Sequence, residues 1–177
     1  LKGWGIVRRN QQKISSLVMD MLSFSKDRKP EPSPSDIPAL LAEIIETVKQ
    51  RAEDAAISVH CKTPDNFPVL LCDTEALSRA ILNVVTNAID AVEELSDGTV
   101  NITTEIDEKR EVVHVRVTDN GPGIPEDIIE KIGEPYIKSK SKELKSNSGL
   151  GLGSFLGKTL LERQGAKLTF RKNVVYS

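Results

Sequence analysis

The sequence predicts a two-layer α/β sandwich of the α+β kind, with a mixed sheet, helices on one face and a long coiled-coil-like helix in front. Three observations lead there. Apolar residues recur at heptad spacing near the start of the chain, later helical and alternating segments follow an order that is no regular βαβ repeat, and two alternating runs meet at a charged turn. With 177 residues, 38% of them hydrophobic and 28% charged, the chain suits one compact domain plus an appendage.

In chain order, Val7, Asn10, Ile14, Leu17, Met21 and Phe24 alternate spacings of three and four, a heptad seam. Such a helix either packs on a partner in a two-helix or dimeric bundle, or lies on its own domain. The stretch KDRKPEPSPSD, residues 26–36, has three prolines and mixed charge, so it ends that helix and leaves a linker over 31–36. Ser35 or Asp36 then caps a helix whose apolar positions are Leu40, Leu41, Ile44, Ile45 and Val48. Short strands are expected over 57–61 and 69–72. Asp73 or Thr74 opens a long helix to about residue 95, ended by SDG at 96–98. Residues 99–106 and 111–118 read as a hairpin, followed by a short helix over 126–132. A polar, lysine-rich stretch over 133–148 leads to GLGLGS, a last helix to residue 164 and a strand over 167–170.

Composition narrows the function classes. A formal net charge of −2 argues against a nucleic-acid binder, which normally shows a basic face. Cys61 and Cys72 form no CxxC or metal spacing, so a reduced, cytoplasmic setting is expected. No apolar run approaches the roughly 20 residues of a membrane helix. The chain opens at Leu1 in helical-looking sequence, which suggests a piece of a larger protein whose membrane anchor, if any, lies upstream.

Three segments suggest chemistry. In ILNVVTNAIDAV, residues 81–92, the positions Ile81, Val84, Val85, Ala88 and Val92 make one apolar face, and Asn83, Asn87 and Asp90 gather roughly opposite. Either this is a solvated face, or the two amide oxygens one turn apart serve a hard cation such as Mg²⁺. Asparagine is a poor helix former, so two in mid-helix call for a reason. In VVHVRVTD, strand parity sends Val113, Val115, Val117 and Asp119 to one face, which turns a carboxylate inward. A buried carboxylate needs donors. The amino group of a purine is one candidate; the other is the turn NGPG itself, closed as an Asx-turn. Third, SGLGLGS at 148–154 precedes a helix expected near Phe155, and alternating glycines there expose N–H groups that suit phosphate. Lys138, Lys140, Lys142 and Lys145 lie just before it. There is no GxxxxGK[ST], and GLGLGS follows a polar loop and not a strand, so neither a P-loop nor a dinucleotide turn is present.

Paired asparagines, then DNGPGIP, then GLGLGS is an order that resembles the ATP-binding domain of sensor histidine kinases, part of the GHKL superfamily with gyrase, Hsp90 and MutL. NVVTNAIDA is similar to the N box, DNGPGIP to the first glycine box, GEPY at 133–136 to the aromatic box before the ATP lid, and GLGLGS to the second glycine box. The resemblance covers about residues 35–170, and RNQQKISSLVMDMLSFSK resembles the second helix of a dimerisation and phosphotransfer bundle. It implies a Bergerat-type fold with bundle residues 1–30, a linker over 31–36 and a catalytic domain over 37–177, its lid near 133–150.

The resemblance further implies ATP and Mg²⁺ as ligands. Asn87 would coordinate the metal with Asn83 assisting, and Asp119 would bind the adenine amino group. Gly121 and Gly123 would shape the base pocket, and Gly149, Gly151 and Gly153 would let the lid and helix start wrap the phosphates; Asp90, Ala91, Ile124, Tyr136, Lys138, Leu150, Leu152 and Ser154 would complete the nucleotide site. Asp90 stands where the family often has a lysine. Asn83 stands where water-splitting relatives carry a glutamate, which favours phosphotransfer to a side chain over hydrolysis. The acceptor histidine is absent: His60 is followed by Cys and His114 by Val, and both read as structural strand residues. The implied function is a histidine kinase that relays phosphate to a response-regulator receiver domain and forms a homodimer through its N-terminal helix. The rivals are a GHKL ATPase and a non-catalytic docking pseudokinase.

Overall fold

The computed structural model describes residues 29–109, 111–129, 131, 134 and 153–171; the heptad stretch, the lysine-rich loop and most of GLGLGS lie outside them. The described elements run β1 (Ser33–Ser35), α1 (Ile37–Asp54), β2 (Ser58–Lys62), β3 (Leu70–Cys72), α2 (Thr74–Val92), β4 (Thr99–Asp107), β5 (Val112–Asp119), α3 (Glu126–Ile129) and α4 (Gly153–Glu162).

Both long helices start where a short acidic side chain satisfies an orphan N–H. Asp36 Oδ1 accepts from Ala39 N at 3.0 Å, and Asp73 Oδ1 accepts from Ala76 N at 3.0 Å. Helix α1 ends through Ala56, whose φ of +54° takes the left-handed position that glycine usually fills.

The main sheet has the order β2–β4–β5, with β2 parallel to β4 and β4 antiparallel to β5. Its inner face is set by two rows read across the register, Val59–Val100–Asp119 and Cys61–Ile102–Val117. Val100 and Ile102 are fully buried, and they meet Ile37, Leu41 and Ile44 of α1 and Val85, Ile89 and Val92 of α2 in one core. Each such side chain contributes about 1.5–3 kcal/mol through burial. The other face leaves His60, Asn101, Glu105, His114 and Arg116 exposed. The molecule is therefore two layers, a mixed sheet under helices. The two histidines stand in strands on the solvent side.

Two expectations change. The stretch 31–36, read as linker, contains β1, which pairs antiparallel with β3 as Ser33↔Cys72, Pro34↔Leu71 and Ser35↔Leu70. Its sequence SPS gives no strand signature; beside the backbone ladder, Ser35 Oγ bonds the hydroxyl of Thr74 just after β3, and Ser33 Oγ lies 3.3 Å from it. Residues 167–170, expected as a strand, form no ladder among the described residues. Leu168 and Phe170 are half-buried and Lys167 and Thr169 exposed, so the alternation reports the buried face without a hydrogen-bonding partner.

Candidate nucleotide site on helix α2

Helix α2 sits between the sheet and α4, and its sequence divides its surface. Ile81, Val85, Ala88, Ile89 and Val92 are buried, whereas Asn83 is half-buried and Asn87 exposed. The two asparagines are joined to the start of α4: Asn83 Nδ2 donates to the Gly153 carbonyl at 3.3 Å, and Asn87 Nδ2 donates to Ser154 Oγ at 3.3 Å. Gly153 and Ser154, expected just ahead of the last helix, lie within α4, and this end of α4 lies on the asparagine pair. The amide nitrogens face protein acceptors, which leaves the Asn87 oxygen without a protein donor among the described residues.

The turn DNGPG reaches the same helix from the other side. A Cβ built on Gly121 would stand 3.1 Å from the Ala91 carbonyl oxygen and 3.2 Å from Ala91 Cβ, so only glycine lets the turn pass this close to α2. Gly123 has φ +75°, the left-handed region that glycine enters without strain. Asp119 is half-buried at the inner end of β5, across from Val100. Its Oδ1 accepts from Gly121 N at 2.9 Å, so the Asx-turn forms and the carboxylate also faces inward. The Asx-turn reading of the sequence is met by this bond.

One residue of this turn escaped the sequence reading. Asn120 Oδ1 accepts from Thr99 N at 2.7 Å, Asn120 Nδ2 donates to the Asp97 carbonyl at 2.9 Å, and Asn120 N donates to the Thr99 carbonyl at 3.2 Å. These three bonds pin the turn to the head of β4. An asparagine two places before Pro122 signals a turn but not which strand it clamps.

Of the other candidates, Ala91 and Ile124 are half-buried, Ala91 beneath Gly121. Asp90 is engaged on α1, where its carboxylate forms an ion pair with Arg51, which also lies 3.8 Å from Glu93. Tyr136, Lys138, Gly149, Leu150, Gly151 and Leu152 lie outside the described residues. Among the described residues no three His, Cys, Asp or Glu side chains group to hold a metal. A cation here would rest on amide and phosphate oxygens, the hard donors that suit Mg²⁺. Cys61 lies on β2, and desolvation pushes its thiol above the ordinary range, which makes it a poor nucleophile.

Strand end, glycine turn and helix start thus meet on one asparagine-bearing helix, the arrangement of an α/β nucleotide-binding domain outside the P-loop and dinucleotide-fold classes. The chain belongs to the family of histidine kinase-, DNA gyrase B- and HSP90-like ATPases, whose model matches residues 72–175. It is similar to the adaptive-response sensory kinase SasA of Prochlorococcus marinus, 27% identical over 166 residues that make up 92% of this chain and 44% of that protein. The fold matches full-length ShkA in complex with AMPPNP at a TM-score of 0.74 and 25% identity, over 93% of this chain and 34% of that one. It also matches histidine kinase ThkA in complex with response regulator TrrA at a TM-score of 0.63 and 25% identity, over 81% and 43%. The chain spans less than half the length of the curated relatives it matches first.

Proposed function

We propose that this chain is the ATP-binding catalytic domain of a sensor histidine kinase. The supporting observation is the convergence on α2 of the Asp119 turn and the α4 start, with Asn83 and Asn87 between them. ATP would lie along this face with its adenine amino group at Asp119, the base over Gly121 and Gly123, and its phosphates toward Asn87 and the first turn of α4. The helix N-terminus there offers N–H groups and the positive dipole end to anionic oxygens. Asn87, with Asn83, would hold Mg²⁺, which when bound neutralises charge on the phosphate oxygens.

The γ-phosphoryl would pass to an imidazole nitrogen of a bundle histidine: the new N–P bond forms as the bond to the β–γ bridging oxygen breaks and ADP leaves. This domain supplies position and charge neutralisation. Asn83 bears on the alternative of hydrolysis. Its amide donates to the Gly153 carbonyl and has no group that takes a proton from water, so a histidine acceptor suits the site better than a water. The ShkA complex with AMPPNP supports the nucleotide, and the ThkA complex with TrrA supports a receiver-domain partner. Homodimerisation through the N-terminal helix and a cytoplasmic setting belong to the same proposal; among the described residues no helix is long and apolar enough to cross a membrane.

Calorimetric titration of the full chain with Mg·ATP tests the site. Binding is expected, weakened at least about tenfold by Asp119→Asn and by Asn87→Ala, the loss of one charge-assisted contact each. No binding by the wild type, or unchanged binding by both variants, overturns the assignment.

A further inference from the structure

The C-terminal end of α2 carries an excess of negative charge. Asp90 stands in its last turn, Glu93 is its C-cap and Glu94 follows, the last turn holds no basic residue, and the helix dipole adds partial negative charge there. A cation reaches this end from another helix. Arg51 of α1 forms an ion pair with Asp90 and lies 3.8 Å from Glu93. Ion pairs between side chains this open to solvent add little to stability, so bracing α1 against α2 is a weak reason for the contact. Position supplies a stronger one. At about 100° per residue, Asp90 falls within about 20° of Asn83 and about 60° of Asn87 around the helix, so the three side chains form one stripe. Asp90 is one turn beyond Asn87, about 5–6 Å away between Cβ atoms. A carboxylate thus borders the asparagine whose oxygen is left for a cation and phosphate.

We propose that Arg51 is a positioning residue for the phosphate end of the nucleotide site: it holds and neutralises the Asp90 carboxylate, so that the stripe bearing Asn83 and Asn87 accepts a polyphosphate anion. This inference rests on the nucleotide reading above and adds to it a residue of α1, a helix outside all of the boxes that the sequence suggested. Without the guanidinium, an uncompensated carboxylate would stand one turn from the phosphates. Repulsion at that range in partly screened surroundings corresponds to at least a roughly fivefold loss of affinity. A ligand without phosphate would not feel it. Removing the Asp90 charge together with that of Arg51 would remove the repulsion, because then no anion is left to neutralise.

The test uses the full chain with Arg51→Gln, which keeps an aliphatic stem and helix propensity but deletes the charge. Because the pair is solvent-accessible, the variant folds, and its melting midpoint should fall by no more than about 4 °C. Mg·ATP and adenosine are titrated separately and followed by nitrogen-15 shifts, which also report weak binding. The dissociation constant for Mg·ATP should rise at least roughly fivefold while that for adenosine stays unchanged. Arg51→Gln combined with Asp90→Asn should bring Mg·ATP back to within about twofold of the wild type. Equal losses for the two ligands, a double variant as weak as Arg51→Gln, or unchanged Mg·ATP binding by Arg51→Gln makes the pair a plain brace and overturns the inference alone. A wild type that binds no Mg·ATP overturns the nucleotide reading first, and this inference with it.

Discussion

Alanine at Gly121 is the sharpest perturbation of the site. Its Cβ would come 2.7 Å from Asp119 Oδ1, 3.1 Å from the Ala91 carbonyl oxygen and 3.2 Å from Ala91 Cβ. The first atom is the end of a side chain and can swing away; the second is helix backbone and yields only by tenths of an ångström. The carboxylate therefore turns, and the 2.9 Å bond from Gly121 N to Asp119 Oδ1 is released. Overpacking and one lost charge-assisted bond together cost about 1–3 kcal/mol. At about 2–4 °C per kcal/mol for a domain of this size, the melting midpoint should fall by about 2–12 °C. On the proposed reading the nucleotide should suffer too, because Asp119 would no longer be aimed at the adenine amino group: losing that contact, about 1.5–3 kcal/mol, would weaken Mg·ATP binding roughly ten- to hundredfold. Gly165→Ala is the control. Nothing lies within 4 Å of its added Cβ, but φ is +79°, so it should lose about 1–2 kcal/mol of stability with little change in affinity. Calorimetry and thermal melts on both variants decide the matter. If Gly121→Ala binds nucleotide like the wild type, or if both variants lose affinity equally, the close approach to α2 is not what holds Asp119.

Ile102 is fully buried between β2 and β5, so Ile102→Ala should destabilise the chain by about 2–5 kcal/mol in urea unfolding, while Ile106→Ala, at the exposed end of the same strand, should change little. Asp73→Ala removes the α2 cap and the acceptor for Glu31 N; chemical denaturation should report a loss of about 1–2 kcal/mol or more, and Asp73→Asn should restore part of it. Because burial raises the Cys61 thiol, its neutral form persists to higher pH than for a free cysteine. Iodoacetamide labelling in a Cys72→Ser background should therefore stay slow through neutral pH and rise only above the usual thiol range of about 8.5, and labelling that keeps pace with a free cysteine contradicts the shift.

Where a residue's role depends on neighbours three, four or two places away, the sequence sufficed. The α2 face formed by Ile81, Val85, Ala88 and Val92, the two long-helix starts to within one residue, and the inward parity of Asp119 all follow from local period and end chemistry, and the structure then takes Asp36 over Ser35 and Asp73 over Thr74 as caps. Even here the margins moved: Ile89 is fully buried although the pattern passed it over, and Val84 is only half-buried. What lay beyond local pattern was long-range pairing. The asparagine helix meets Gly153 and Ser154 some seventy residues later, Asp90 turns to Arg51 on another helix, Asn120 clamps a strand head behind it, and SPS becomes a strand by pairing with β3. None of these partners shares a period with the residue it meets. Side-chain chemistry and chain periodicity dictate which face a residue presents. Which surface comes to lie against that face is decided only when the layers close and buried polar groups compete for the donors and acceptors within reach.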